Sequence, residues 1–153
     1  MDTYVQTELD LVLEELNRAS NLYKIDVDPL KQQLEELKQN DASANQFALL
    51  YSLNKISMDQ PNWTFLAAQL YLNELYSEAS KNRGYKMNVK YGDFYSLIMK
   101  LTNIGIYSED LLAFYSKEEI DQLDILIDPE KDYLFNYIGL FLLADRYLAK
   151  DYE

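Results

Sequence analysis

What most constrains this chain is where its helix breakers stand. Across 153 residues there are only three prolines and four glycines, and nearly all of them fall where a helix begins or ends. Each proline occupies a start position: Asp28-Pro29, Gln60-Pro61 and Asp128-Pro129. Proline suits the first helical residue because its missing N–H has no intrahelical partner there, and Asp28 and Asp128 offer carboxylates as N-cap acceptors. Gly84, Gly92 and Gly105 follow or separate periodic segments, as helix-terminating glycines do. Gly139 lies inside a helical pattern and reads as a point of close helix packing rather than a break. Ser116-Lys117-Glu118-Glu119 has the spacing of a capping box, in which Glu119 reaches back to the Ser116 N–H.

Between these punctuators the apolar residues recur at helical intervals. Leu9, Val12, Leu13 and Leu16 make one stripe, and Leu30, Leu34 and Leu37 a second. Phe47, Leu50, Tyr51 and Leu53 continue the pattern. After Pro61 the run Trp63, Phe65, Leu66, Leu70, Leu72, Leu75 and Tyr76 is apolar around much of its circumference, which predicts a central, buried helix. Further helices are expected over 92–103, 108–115, 116–127 and 129–149, with connectors at 40–44 and 82–90. No segment alternates apolar and polar residues between hairpin turns. The expected fold is all-α, an orthogonal bundle of about seven to eight helices. The division falls near Asp59, giving an N-terminal helical segment, 1–58, and a denser, more aromatic part, 59–153.

Composition then removes whole classes of chemistry. The chain has no cysteine and no histidine, so disulfides, thiolate nucleophiles, Fe–S clusters, Ser-His-Asp and Cys-His catalysis and His or Cys zinc sites are excluded. Any metal would have to be a hard cation held by carboxylates. Acidic residues outnumber basic ones 26 to 14, a net charge of −12, which opposes direct contact with nucleic acid. No apolar run approaches the ~20 residues needed to cross a bilayer, and MDTYVQTELD lacks the basic start of a signal peptide. A cytoplasmic protein without a membrane partner is the expectation.

The chemistry-bearing clusters have plain readings. Asp121 and Asp124 share a helical face, but no EF-hand spacing occurs, and Glu118, Glu119 and Asp121 fall in a first turn, where acids favour the helix dipole. Tyrosines 71, 76, 91, 95, 107, 115, 133, 137 and 147, offered as base-stacking or radical-transfer residues, sit among leucines at helical spacing and read as core-edge residues. Lys81, Arg83, Lys86 and Lys90 form the one local basic cluster and read as a solubilising connector. Neither G-x-x-x-x-G-K-[ST] nor G-x-G-x-x-G occurs.

Two stretches go further. The first is Pro61-Asn62-Trp63-Thr64-Phe65-Leu66-Ala67-Ala68-Gln69-Leu70, followed by Tyr91-Gly92-Asp93-Phe94-Tyr95. It resembles the P-x-(aromatic)-x-x-L-A-A-x-L helix and its successor in the large (α) subunit of class I ribonucleotide reductases. The second runs from Leu111 through Ser116-Lys117-Glu118-Glu119, Ile127-Asp128-Pro129-Glu130-Lys131-Asp132 and Phe135-Asn136-Tyr137-Ile138-Gly139-Leu140 to Arg146-Tyr147-Leu148. That order of pieces is similar to the same family's N-terminal all-α domain. The likeness covers 59–150, about three-fifths of the chain.

The resemblance implies a supporting role. In this family catalysis belongs to a ten-stranded α/β barrel that carries the thiyl-radical cysteine, the reducing cysteine pair and their Asn/Glu partners, and that barrel is expected beyond Asp151-Tyr152-Glu153. No catalytic, cofactor-binding or metal residue is therefore expected here, and no cofactor in this chain. The implied partners are the catalytic barrel, in the same gene or a separate chain, and the radical-generating small subunit of the full enzyme. Exposed apolar patches on 91–103 or 129–149 are the expected place for a barrel to dock. Residues 1–58 would be a degenerate remnant of the family's ATP-cone, lacking its V-x-K-R-x-G-like motif. The alternative is a stand-alone acidic interaction protein of the DNA-mimic or anti-repressor type. That alternative needs carboxylates at phosphate-like spacing on one face, whereas the reductase reading scatters them at helix starts.

Overall fold

The computed structural model describes residues 7–37, 43–85 and 92–148. Among them are eight α-helices: α1 Glu8–Tyr23, α2 Asp28–Leu37, α3 Ala44–Lys55, α4 Trp63–Arg83, α5 Phe94–Asn103, α6 Asp110–Phe114, α7 Lys117–Asp124 and α8 Tyr137–Arg146. A 3-10 turn, Pro129–Leu134, precedes α8, and no strand occurs among the described residues. The fold is all-α. Tyr91 and most of the connectors 40–44 and 82–90 lie outside the described residues.

The helix ends follow their local chemistry. Thr7 and Asp10 form a capping box at α1, and Ser116 and Glu119 form the expected one at α7. Ser43, Asp93 and Asn136 cap α3, α5 and α8 by accepting the amides of Gln46, Ser96 and Gly139. Lys24 closes α1 in the left-handed region at φ 55°, and Gly105 does the same after α5 at φ 78°, where a glycine is free of the Cβ clash that Lys24 must tolerate.

Several starts and stops differ from the sequence reading. Asp28 lies in the first turn of α2 and its carboxylate meets Lys31 Nζ at 3.6 Å. Pro61 stands in a turn two residues ahead of α4. The helix expected over 129–149 is broken. Asp128 Oδ1 accepts the Glu130 amide at 3.1 Å and starts the 3-10 turn, and Asn136 then starts α8 afresh. Gly139 is therefore a first-turn residue beside a break, not a helix-packing contact. A Cβ there would come within 3.1 Å of Asn136 Oδ1, the capping oxygen itself.

The chain divides into two compact units, Met1–Glu74 with Asp132–Glu153, and Leu75–Lys131. In the first, α1, α2, α3 and the front half of α4 enclose the core. Val12, Leu16 and Ala19 of α1, Leu30 and Leu34 of α2, Ala48 and Leu49 of α3, and Trp63, Leu66, Ala67 and Leu70 of α4 are buried together, joined by Ile25 and Val27 from the α1–α2 link. This cluster draws on residues from both sides of Asp59. Burying each large aliphatic side chain contributes about 1.5–3 kcal/mol. As expected from its apolar sequence, the front half of α4 is buried, with Leu66 to Leu70 all closed off from water. The same unit holds α8 against α4 through Tyr71, Tyr137 and Phe141, whose rings lie 5.7–6.2 Å apart, and through the Tyr137 amide, which donates to Thr64 Oγ1 at 3.2 Å.

The second unit is built differently. It comprises the rear of α4, α5, α6, α7 and the start of the 3-10 turn, with α5 packed on α7. Its described residues bury only Ser80, Thr102 and Ile120. Arg83 ties the end of α4 to the start of α5 by donating to the Asp93 carbonyl at 3.2 Å, and Lys100 of α5 donates to the Asn82 carbonyl.

Candidate interaction surface

Six of the acidic residues stand in the first turns of four helices. Glu8 and Asp10 open α1, Asp28 opens α2, Asp110 opens α6, and Glu118 and Glu119 open α7. Each carboxylate there meets the positive end of a helix. Asp121 is paired with Lys117 one turn earlier, and that contact, above all its hydrogen bond, holds the lysine ammonium above its ordinary pKa. Among the described residues no three acidic side chains converge as a metal site. Asp93 accepts both the amide and the hydroxyl of Ser96, and these bonds hold its carboxyl below the ordinary value of 3.8.

The tyrosines divide by position. Tyr71, Tyr76, Tyr95, Tyr133 and Tyr137 are half-buried, in keeping with core-edge packing, whereas Tyr107, Tyr115 and Tyr147 are exposed. Of the basic cluster, Lys81 and Arg83 are described. The Arg83 guanidinium lies 4.8 Å from the Tyr85 ring centre, so this cation is engaged with its own chain.

Two polar arrangements in the first unit were not legible in the sequence. Asn45, buried at the start of α3, donates to the Leu70 carbonyl at 2.9 Å and to Glu74 Oε1 at 3.3 Å. Its amide and the Ser43 hydroxyl both donate to Glu8 Oε1, at 2.9 and 2.5 Å. Gln69, buried in the middle of α4, donates to the Tyr23 hydroxyl at 2.9 Å, while its own Oε1 has no partner among the described residues. The Tyr23 ring stacks on Phe65 at 4.9 Å, and burial pushes its hydroxyl above the ordinary 10.0. A glutamine amid L-A-A-Q-L was the one available signal for this site. These contacts fasten helices to one another and offer no open chemistry.

What is presented outward is apolar. In the second unit Phe114 is 77% exposed, Ile125 83% and Leu126 75%, with Leu123 and Ile127 also exposed. In the first unit the segment after Asp132 exposes Leu134, Ile138, Phe141, Leu142 and Tyr147. Of the two stretches the sequence pointed to, 129–149 is thus open, whereas Phe94, Leu97, Ile98 and Met99 of α5 are half-buried. Single exposed aliphatics are common; here at least five bulky apolar side chains are exposed in the second unit and at least five in the segment of the first unit after Asp132. No helix among the described residues is long and apolar enough to cross a membrane.

Comparison with known proteins supplies the context. No family model matches the chain. Over 100 residues, 65% of its length, it is 36% identical to ribonucleoside-diphosphate reductase subunit alpha of Helicobacter pylori. It is 32% identical over 101 residues to ribonucleoside-diphosphate reductase 1 subunit alpha of Escherichia coli K12, and 32% identical over 103 residues to subunit alpha of Enterobacteria phage T4. The chain spans only about 12% of the length of these relatives, in their N-terminal region. The likeness to the reductase large subunit read from the sequence is borne out, and nearly two thirds of the chain is related to a small part of that subunit.

Proposed function

We propose, from this kinship with subunit alpha, that the chain is the helical, non-catalytic part of a ribonucleoside-diphosphate reductase large subunit. It braces a catalytic barrel that converts ribonucleotides to deoxyribonucleotides for DNA synthesis. The observation that carries the reading is the pairing of a match to about an eighth of the relatives' length with a surface that leaves bulky apolar side chains in water. A part cut from a larger body has such a face. The chain has no cysteine, so thiol and thiyl chemistry must be supplied by the barrel, and the radical by a small subunit. What this chain contributes is rigidity: a core that fixes α4, and α8 fastened to α4 by an aromatic cluster and the Tyr137–Thr64 bond.

The acids support this reading over a nucleic-acid mimic. Mimicry requires carboxylates repeated at phosphate spacing along one face, whereas six of the acids here are spread over the first turns of four separate helices. The test is co-expression of the whole chain with the barrel-containing remainder of the large subunit from the same source. A stable complex with reductase activity in the presence of the small subunit is expected. Full activity of the remainder without this chain would sink the proposal.

A further inference from the structure

The α7 end of the second unit carries a feature that the helix pattern does not explain. Ile125, Leu126 and Ile127 follow one another immediately after α7, and they are 83%, 75% and 36% exposed. The chain there is held in a tight turn, the Leu126 amide donating to the Leu123 carbonyl at 3.0 Å and the Ile127 amide to the Asp124 carbonyl at 3.1 Å. Ile125 and Leu126 are thereby held largely in water on a knuckle, with the partly covered Ile127 beside them. Carboxylates flank it on both sides: Asp121 and Asp124 before, Asp128 and Glu130 after. Residues 104–131 hold eight acids against two lysines, and the pair Lys117–Asp121 engages one of each, leaving the acids in excess.

That charge selects among occupants. A second copy would bring like charges together at the same place, in a chain of net −12, a juxtaposition that opposes association. An anionic lipid surface is repelled for the same reason. Burying the knuckle favourably requires an apolar recess, and its acidic surround requires cations at the rim.

We infer that Ile125-Leu126-Ile127 is the docking knuckle for the remainder of the reductase large subunit, seated in an apolar recess of that body rimmed by lysine and arginine. The inference rests on the reductase reading and names the chemistry of the partner surface within it. The apolar side chains hold the complex together, and the carboxylates steer its formation and exclude self-pairing.

The test uses the complex obtained by co-expression, with the whole chain and variants of it. Ile125→Ser and Leu126→Ser should each weaken the complex by about tenfold or more, as loss of a buried interface anchor does. Asp124→Asn with Asp128→Asn, which keeps an oxygen acceptor for the Glu130 amide, should slow association at about 50 mM NaCl and change it little at about 500 mM, where exposed charges are screened. Circular dichroism should show unchanged helix content in all of them, since every substituted side chain is in water or at its edge. A complex insensitive to both salt and these substitutions overturns the knuckle while the reductase reading stands. Failure of the unaltered chain to form any complex overturns the reading and the knuckle with it. Self-association of the chain alone at low salt, seen by sedimentation velocity, also overturns the knuckle.

Discussion

In residues 7–74 every helix buries at least two side chains, whereas the described residues of 75–131 bury one serine, one threonine and one isoleucine. Both regions are helical, with side-chain caps on α1 and α3 in the first and on α5 and α7 in the second, and both are rich in leucine. The difference lies in what their apolar stripes meet. In the first, Val12, Leu16 and Ala19 face Leu30, Leu34 and Leu66 and are closed off from water. In the second, α5 and α7 meet around Ile120, and Phe114, Leu123, Ile125 and Leu126 are left outside. Helix formation therefore does not depend on a complete core in each unit, because caps and short-range bonds can define a helix whose outer face awaits a neighbour. The well-buried region is largely the one outside the motif resemblance, and the open region lies entirely within it.

The comparison is broken most sharply by unfolding the isolated chain in urea. Leu66→Ala and Leu70→Ala remove fully buried side chains and should each cost about 2–5 kcal/mol, with the spread set by how far the cavity collapses. Ile125→Ser and Leu126→Ser should stay within about 0.5 kcal/mol, as substitutions of exposed side chains usually do. A comparable loss from Ile125→Ser would mean that the knuckle is held by its own chain.

Tyr23 sharpens the same contrast at the next level of size. Its ring stacks on Phe65 and its hydroxyl accepts from Gln69 in the closed region. Tyr23→Phe keeps the stack and orphans a buried amide, at a cost of about 1–3 kcal/mol. The pH dependence has a definite sign. Burial raises the folded-state pKa above the ordinary 10.0, so this contribution to stability is complete below that value and is lost as pH rises through the folded value. Alkaline unfolding of the unaltered chain and of the Tyr23→Phe variant should therefore converge as the phenol ionises. Equal pH slopes for the two would remove Tyr23 from the account.

How far this was legible in the sequence depended on the range of the interaction. Ser116 and Glu119 lie three residues apart, so their capping box could be read directly, and the apolar run from Trp63 marked a buried helix. The break at 135–136 was missed because Leu134, Ile138 and Phe141 keep helical spacing across it. What interrupts the helix is the Asn136 side chain taking the Gly139 amide at 2.8 Å. Asn45 and Gln69 were missed for another reason. Their partners, Leu70 and Tyr23, are 25 and 46 residues away, and only packing brings them together. For the interaction surface, the apolar residues were plain, but a stripe that faces a core and one that faces water have the same sequence pattern. Their exposure is a tertiary fact.

The smallest expected effect belongs to the open region and runs to the opposite end of the pH scale. Asp93 caps α5 on the surface, and the Ser96 hydroxyl and amide hold its carboxyl below the ordinary 3.8. A depressed carboxyl contributes stability that is present above its unfolded value and is lost as pH falls through the folded one. Because the site is exposed, solvent screening keeps that contribution small. Asp93→Asn supplies the same capping oxygen without a titration, so the two chains should differ slightly near neutrality and converge in acid. Hydrogen exchange at the α5 amides is the measurement that isolates it, since opening of α5 can precede global unfolding. The unit that buries little should then open at α5 in acid while the amides of α1 and α4 stay protected. Simultaneous loss of protection in both regions would show that they unfold as one and that the contrast between them is confined to their surfaces.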